Sequence, residues 1–164
     1  MARGTRPSGA TAAIRALKQA GVVFVLHPYE HDPRATSYGV EAAQVLGLPE
    51  ARVFKTLLAD ADGRLVVAIV PVSGLLDLKA LARALGVRKA AMADPAAAER
   101  ATGYVVGGIS PLGQKRAHPT VLDASALEHE TVLVSAGRRG LDVELAPAEL
   151  VTLTSAKVAA IAQD

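Results

Sequence analysis

The chain has 164 residues, 51% hydrophobic and 21% charged. That balance excludes a disordered polypeptide and suits one domain with a sizeable buried core. There is no cysteine, which excludes disulfides, thiolate metal sites and a protein thiol nucleophile. The 18 basic and 16 acidic residues leave a net charge of +2, unlike the strongly basic balance of a dedicated duplex-DNA binder.

Residues 1–10 are rich in Gly, Pro, Arg and Ser and read as a flexible tail ahead of one domain over 11–164. No apolar stretch follows the two arginines, so a signal peptide is not expected. The most apolar window, Leu65 to Leu76, is interrupted by Pro71, Ser73 and Gly74 and is too short to span a bilayer. The expectation is a cytoplasmic protein without membrane attachment.

Thr11 can cap a helix to Ala20, stopped by Gly21. Val22 to Leu26 reads as a buried strand, followed by a loop from His27 to Pro33. Ser37 can cap a helix to Leu46. Val53 to Ala59 and Leu65 to Val72 read as strands joined at Asp62-Gly63. Asp77 and Asp94-Pro95 open two helices that Gly86 and Gly103 end. Tyr104 to Val106 and Thr120 to Leu122 read as short strands around a glycine-rich loop. Thr131 to Ser135 and Leu141 to Leu145 form a hairpin, and Pro147 opens a last helix, broken near Thr154. There is no regular βαβ rhythm, no Rossmann fingerprint and no P-loop. The pattern predicts a single-domain α+β fold around a mixed, mostly antiparallel sheet.

Three places break the local pattern. Lys55 interrupts the apolar run Val53-Phe54-Lys55-Thr56-Leu57-Leu58. An ammonium there either guards a strand edge or points into a polar cleft, where it can hold a phosphate, a carboxylate or an oxyanion. The Gly107-Gly108-Ile109-Ser110-Pro111 loop is either a bulge and turn or a set of exposed amides for a carbonyl oxygen or an anion. Between Ser135 and Asp142, Arg138 and Arg139 form either a solvated hairpin tip or a phosphate contact beside a ligand site. His27 and His31 invite a metal reading, but Pro28 removes the helical i, i+4 geometry, so no metal is expected.

Together these segments resemble the YbaK family, the free-standing relatives of the editing domain inserted in bacterial prolyl-tRNA synthetases. The stretches that carry the resemblance are Tyr29-Glu30-His31-Asp32-Pro33, Val53 to Leu58, Leu75 to Lys79, Met92 to Pro95, Thr102 to Lys115 and Arg139 to Asp142. It runs from about Thr11 to Ala162. It implies a trans-editing aminoacyl-tRNA deacylase that needs no cofactor and is most similar to the members that hydrolyse Cys-tRNA(Pro). The implied partners are the 3′ aminoacyl end of a mischarged tRNA and, in a transient complex, prolyl-tRNA synthetase; neither DNA nor membrane is implied. Lys55 matches the key site residue of the family. Tyr29, Gly107, Ser135 and Asp142 match positions implicated in binding or catalysis. Gly107, Gly108, Ile109 and Ser110 are expected to supply oxyanion donors, and Tyr38 and Arg138 to contact substrate. Tyr38 stands where the family usually has Phe, and Ala136 where a second Gly is expected. An alanyl-tRNA(Pro) or broader deacylase using water, and a non-catalytic tRNA-binding module, remain as alternatives.

Overall fold

The computed structural model describes residues 11–164; the predicted tail at 1–10 lies outside the described residues. Thr11 caps α1 (Ala12–Ala20), its side chain accepting from the Ile14 amide at 3.1 Å. Asp77 and Asp94 do the same for α3 (Leu78–Leu85) and α4 (Pro95–Thr102). Each side-chain acceptor satisfies an amide that the first helical turn leaves unpaired. Ser37 occupies the corresponding position before α2 (Tyr38–Leu46) but makes no capping bond. Gly21, Gly86 and Gly103 end α1, α3 and α4 as expected, Gly47 ends α2, and α5 (Pro147–Thr154) stops at Ser155.

Three β-ladders pack with these helices. The largest has the order β5-β2-β3-β6-β9, with β2 (Phe54–Ala61), β3 (Arg64–Pro71), β5 (Ala90–Met92), β6 (Thr120–Asp123) and β9 (Lys157–Ala159). β2 is antiparallel to β3 and β5, whereas β3–β6 and β6–β9 are parallel. The second ladder, β1 (Val25–Pro28), β8 (Leu141–Leu145) and β7 (Val132–Arg138), is antiparallel throughout. A third pairs β4 (Leu75–Leu76) with β10 (Ala162–Gln163). The expected mixed, mostly antiparallel α+β architecture is therefore present, divided among three ladders.

The division follows from burial. The main core joins Ile14 and Leu17 of α1 to Phe54, Leu58, Ile69, Leu122, Val134 and Val143, and thereby packs the two larger ladders together. Across β2 and β3, Ala59, Val66, Ala68 and Val70 pack with Leu81 of α3. A third cluster seats Ala42 and Ala43 of α2 on Val53, Val72 and Leu133. There a parallel bridge between Val53 and Leu133 joins the start of β2 to β7.

Two predicted strands differ. Val22 to Phe24 precede β1, and Val23 is 85% exposed rather than buried. Tyr104 to Val106 form no strand. Their polar groups are satisfied locally instead. The Tyr104 amide donates to Thr102 Oγ1 at 3.2 Å, and the Val106 amide donates to Glu99 Oε2 at 2.8 Å. No partner strand is then required.

Candidate functional site

β5 covers only Ala59 to Ala61 of β2. The preceding edge, Phe54 to Leu58, instead lines a cleft of about 400 Å³. The opposite wall comes from Ser135 of β7 and Asp142 of β8. Tyr29, the start of α2 and the loop through Val106, Gly107 and Ile109 close the remainder. Both readings of Lys55 from the sequence thus meet: it sits on an uncovered strand edge, and that edge is the cleft wall.

Lys55 is half-buried, and burial lowers its pKa below the ordinary lysine value of 10.5. Asp142 is only 6% exposed. Burial pushes its carboxyl up to about 6, opposed by the charge of His27. Among the described residues, neither side chain makes a hydrogen bond or an ion pair. A buried carboxylate without a partner is costly, and an unpaired lysine stem in an apolar wall is uncommon. The fold therefore presents one uncompensated cation position and one uncompensated anion position to the same space.

Tyr29 is held from both sides. Its amide donates to the Gly140 carbonyl at 2.9 Å. The adjoining loop is tied to α2 by Glu41, which accepts from the Asp32 amide at 2.6 Å and bonds His31 Nδ1 at 2.7 Å. Burial, then the nearby Asp142 charge, push the Tyr29 hydroxyl up to about 12. It stays a neutral donor throughout the physiological range.

Gly107 has φ +89°, and a Cβ there would fall 2.8 Å from the Tyr38 ring and 2.9 Å from Arg139 Nε. A side chain at this position therefore meets both strain and collision. The Tyr38 ring lies against this glycine, with the Arg139 guanidinium 4.8 Å from its centroid. Arg139 Nε also donates to the Val106 carbonyl at 2.9 Å. The cation–π contact thus joins the hairpin tip to α2, and the hydrogen bond joins it to the glycine loop.

Tyr29, Tyr38, Lys55, Gly107, Ile109, Ser135 and Asp142, all singled out in the sequence, line the cleft. Gly108, Ser110 and Arg138 are not on its wall. The Gly108 amide donates to the Val105 carbonyl at 2.8 Å. A Cβ on Gly108 would lie 2.7 Å from the Arg138 Cα, so this glycine lets the hairpin approach. Ser110 is fully buried, and its hydroxyl accepts from the Leu112 amide at 3.2 Å. Among the described residues, the Gly107 and Ile109 amides donate to no group, and both residues line the cleft.

The sequence reading missed Thr56. It lines the cleft, and its buried Oγ1 has no hydrogen-bond partner among the described residues. Its only signal was adjacency to Lys55. His27 and His31 bond different glutamates, Glu144 and Glu41, and so do not converge on one point.

The sequence profile of the aminoacyl-tRNA editing domain matches residues 31–153. A relative from Enterococcus faecalis, named as a candidate Cys-tRNA(Pro)/Cys-tRNA(Cys) deacylase, EbsC, is 42% identical over 120 residues, 73% of each chain. A proline–tRNA ligase of Acidithiobacillus ferrooxidans is 36% identical over 87 residues, 53% of this chain but 15% of the ligase. A crystal structure described as a candidate trans-editing enzyme for prolyl-tRNA synthetase superposes with a TM-score of 0.83 at 26% identity, covering 98% of this chain and 100% of the other. The profile spans the strand that carries Lys55, the Gly107 loop and the hairpin that carries Asp142, and on that match the chain belongs to the aminoacyl-tRNA editing domain family.

Proposed function

We propose that the cleft hydrolyses the aminoacyl ester of mischarged tRNA, with Cys-tRNA(Pro) as its substrate. The observation that carries this reading is the unpaired Lys55 and Asp142 in one cleft. An aminoacyl-tRNA terminus has an α-ammonium at one end and nucleotide phosphate at the other, which complements those two charges. Asp142 takes the ammonium. Lys55 takes the terminal nucleotide or the negative charge that develops during reaction.

Hydrolysis also needs a nucleophile and a seat for the carbonyl oxyanion. The protein has no thiol. Ser135 faces Asp142 across the β7–β8 ladder, but its Oγ accepts from the Gly137 amide at 3.2 Å and has no histidine base bonded to it. The substrate therefore supplies the nucleophile. Its cysteine thiolate attacks its own ester carbonyl, and the Gly107 and Ile109 amides receive the oxyanion. Collapse expels the ribose hydroxyl, which takes a proton, and leaves a four-membered thiolactone that water opens to free cysteine. A free thiol has a pKa of about 8.5, so only a few per cent is thiolate at neutral pH. Fixed geometry and preoriented donors must compensate, each by several kcal/mol, on the order of 3 or more.

The same chemistry selects the amino acid. Serine is nearly isosteric with cysteine, and a size filter discriminates by only about 1–3 kcal/mol per methylene. The test is a panel of cysteinyl-, seryl- and alanyl-tRNA(Pro), run with and without prolyl-tRNA synthetase. Preferential cysteinyl hydrolysis is expected. Equal rates on all three would replace the substrate thiol with water, and binding without turnover would make the chain a tRNA-binding module.

A further inference from the structure

The β1–β8–β7 register sets three polar residues in one row. His27 of β1 lies opposite Asp142 of β8, and Asp142 lies opposite Ser135 of β7. Directly opposed residues of an antiparallel pair point to the same face. Ser135 and Asp142 line the cleft, so His27 stands at the far side of Asp142 on that face. The acid is the middle member of the row, which is not the order of a nucleophile–base–acid relay.

His27 is held from behind. Its Nε2 bonds Glu144 Oε1 at 2.8 Å. The other Glu144 oxygen accepts from Arg52 Nη2 and from Thr131 Oγ1, both at 2.5 Å. Arg52 Nε also donates to the Thr131 carbonyl at 3.0 Å. These bonds hold Glu144 charged, below the ordinary carboxylate range, through Thr131 first and His27 second, with Arg52 adding its charge. A fixed anion thus anchors the imidazole next to the buried acid.

We propose that His27 is a positioning residue for deacylation: anchored by Glu144, its imidazole keeps the Asp142 carboxylate charged toward the substrate ammonium. This rests on the deacylase reading of the cleft. The need for such a device is physical. Asp142 has no hydrogen bond among the described residues and little solvent, so burial alone drives it toward its neutral form. The other titratable groups around it do not supply the same help. Tyr29 is neutral in the physiological range. Lys55 stands on β2 without pairing with Asp142. Glu144, on the same face of β8, and Glu41, whose charge acts on Tyr29, are acids and bring no positive charge to Asp142.

The test compares the wild-type protein with His27→Gln, which keeps a side-chain donor for Glu144 but carries no charge. Asp142 is followed by ¹³C-carboxyl NMR, and kcat/KM for Cys-tRNA(Pro) is measured from pH about 6 to about 8. The Asp142 midpoint is expected to rise by about half a unit or more in His27→Gln. The kcat/KM deficit should be about two- to threefold near pH 6 and fade by about pH 8, where Asp142 ionises unaided. An unchanged Asp142 midpoint, or a deficit of equal size at every pH, overturns the proposal. Should His27→Gln fail to fold, the wild-type titration decides. The Asp142 resonance then shows a second inflection at the His27 midpoint if the two are coupled, and its absence counts against the proposal. If the wild-type protein does not hydrolyse the ester, the deacylase reading fails while the NMR measurement still judges the coupling.

Discussion

Lys55 and Asp142 line the same cleft, yet their opposite charges do not pair. The separation has a thermodynamic consequence, because each charge is partly stripped of water without a protein partner in return. A site of this kind lowers the stability of the empty protein and is relieved when a ligand of matching charge enters.

Asp142→Asn measures that cost. The folded-state pKa of Asp142 is raised from 3.8 to about 6, so the fold prefers the neutral acid. Its contribution is fully present below pH 3.8 and is lost as pH rises through about 6. Above that range the charged form opposes folding by about 2–3 kcal/mol. In urea unfolding, Asp142→Asn should exceed the wild type by about that amount near pH 7.5. The difference should close near pH 4, and deacylation should be lost. A variant less stable than wild type at pH 7.5 would mean the carboxylate is satisfied in the fold.

Thr56→Val replaces a buried hydroxyl that has no partner among the described residues with a methyl of similar size. Stability should rise by about 1 kcal/mol, since no hydrogen bond is lost. The kcat/KM for aminoacyl-tRNA should fall by about tenfold if the hydroxyl serves substrate. Thermal unfolding and initial rates on one preparation check both. No change in either would show that the hydroxyl is already satisfied and idle.

Gly107→Ala forces a left-handed alanine and sets its Cβ against Tyr38 and Arg139. A loss of about 1–3 kcal/mol and a displaced Tyr38 are expected, with reduced turnover. Gly21→Ala is the control. It has φ +68° but open space around its Cβ, so it should cost only about 1 kcal/mol of backbone strain and leave activity intact. Equal effects of the two variants would remove the steric role assigned to Gly107.

Local chemistry made most helices legible. Thr11, Asp77 and Asp94 cap as expected because capping depends on a few neighbouring residues. β4, β5, β9 and β10 have two or three residues each and exist through distant ladder partners, so no periodicity marked them. The same limit applied at the site. Lys55 and the Gly107 loop stood out against their surroundings, but their meeting with Asp142 depends on how two sheets pack. Thr56 looked like an ordinary β-branched strand residue. Ser110 was expected among the loop's amide donors, whereas it is buried away from the cleft wall.

The most direct measurement is single-turnover hydrolysis of Cys-tRNA(Pro) by the wild-type protein and by Lys55→Ala. Rapid release of cysteine by the wild type is expected. The folded variant should be at least about 10²-fold slower, as when a preorganised electrostatic group is lost. Wild-type hydrolysis no faster than in buffer, or equal rates for the two proteins, would contradict deacylation through Lys55.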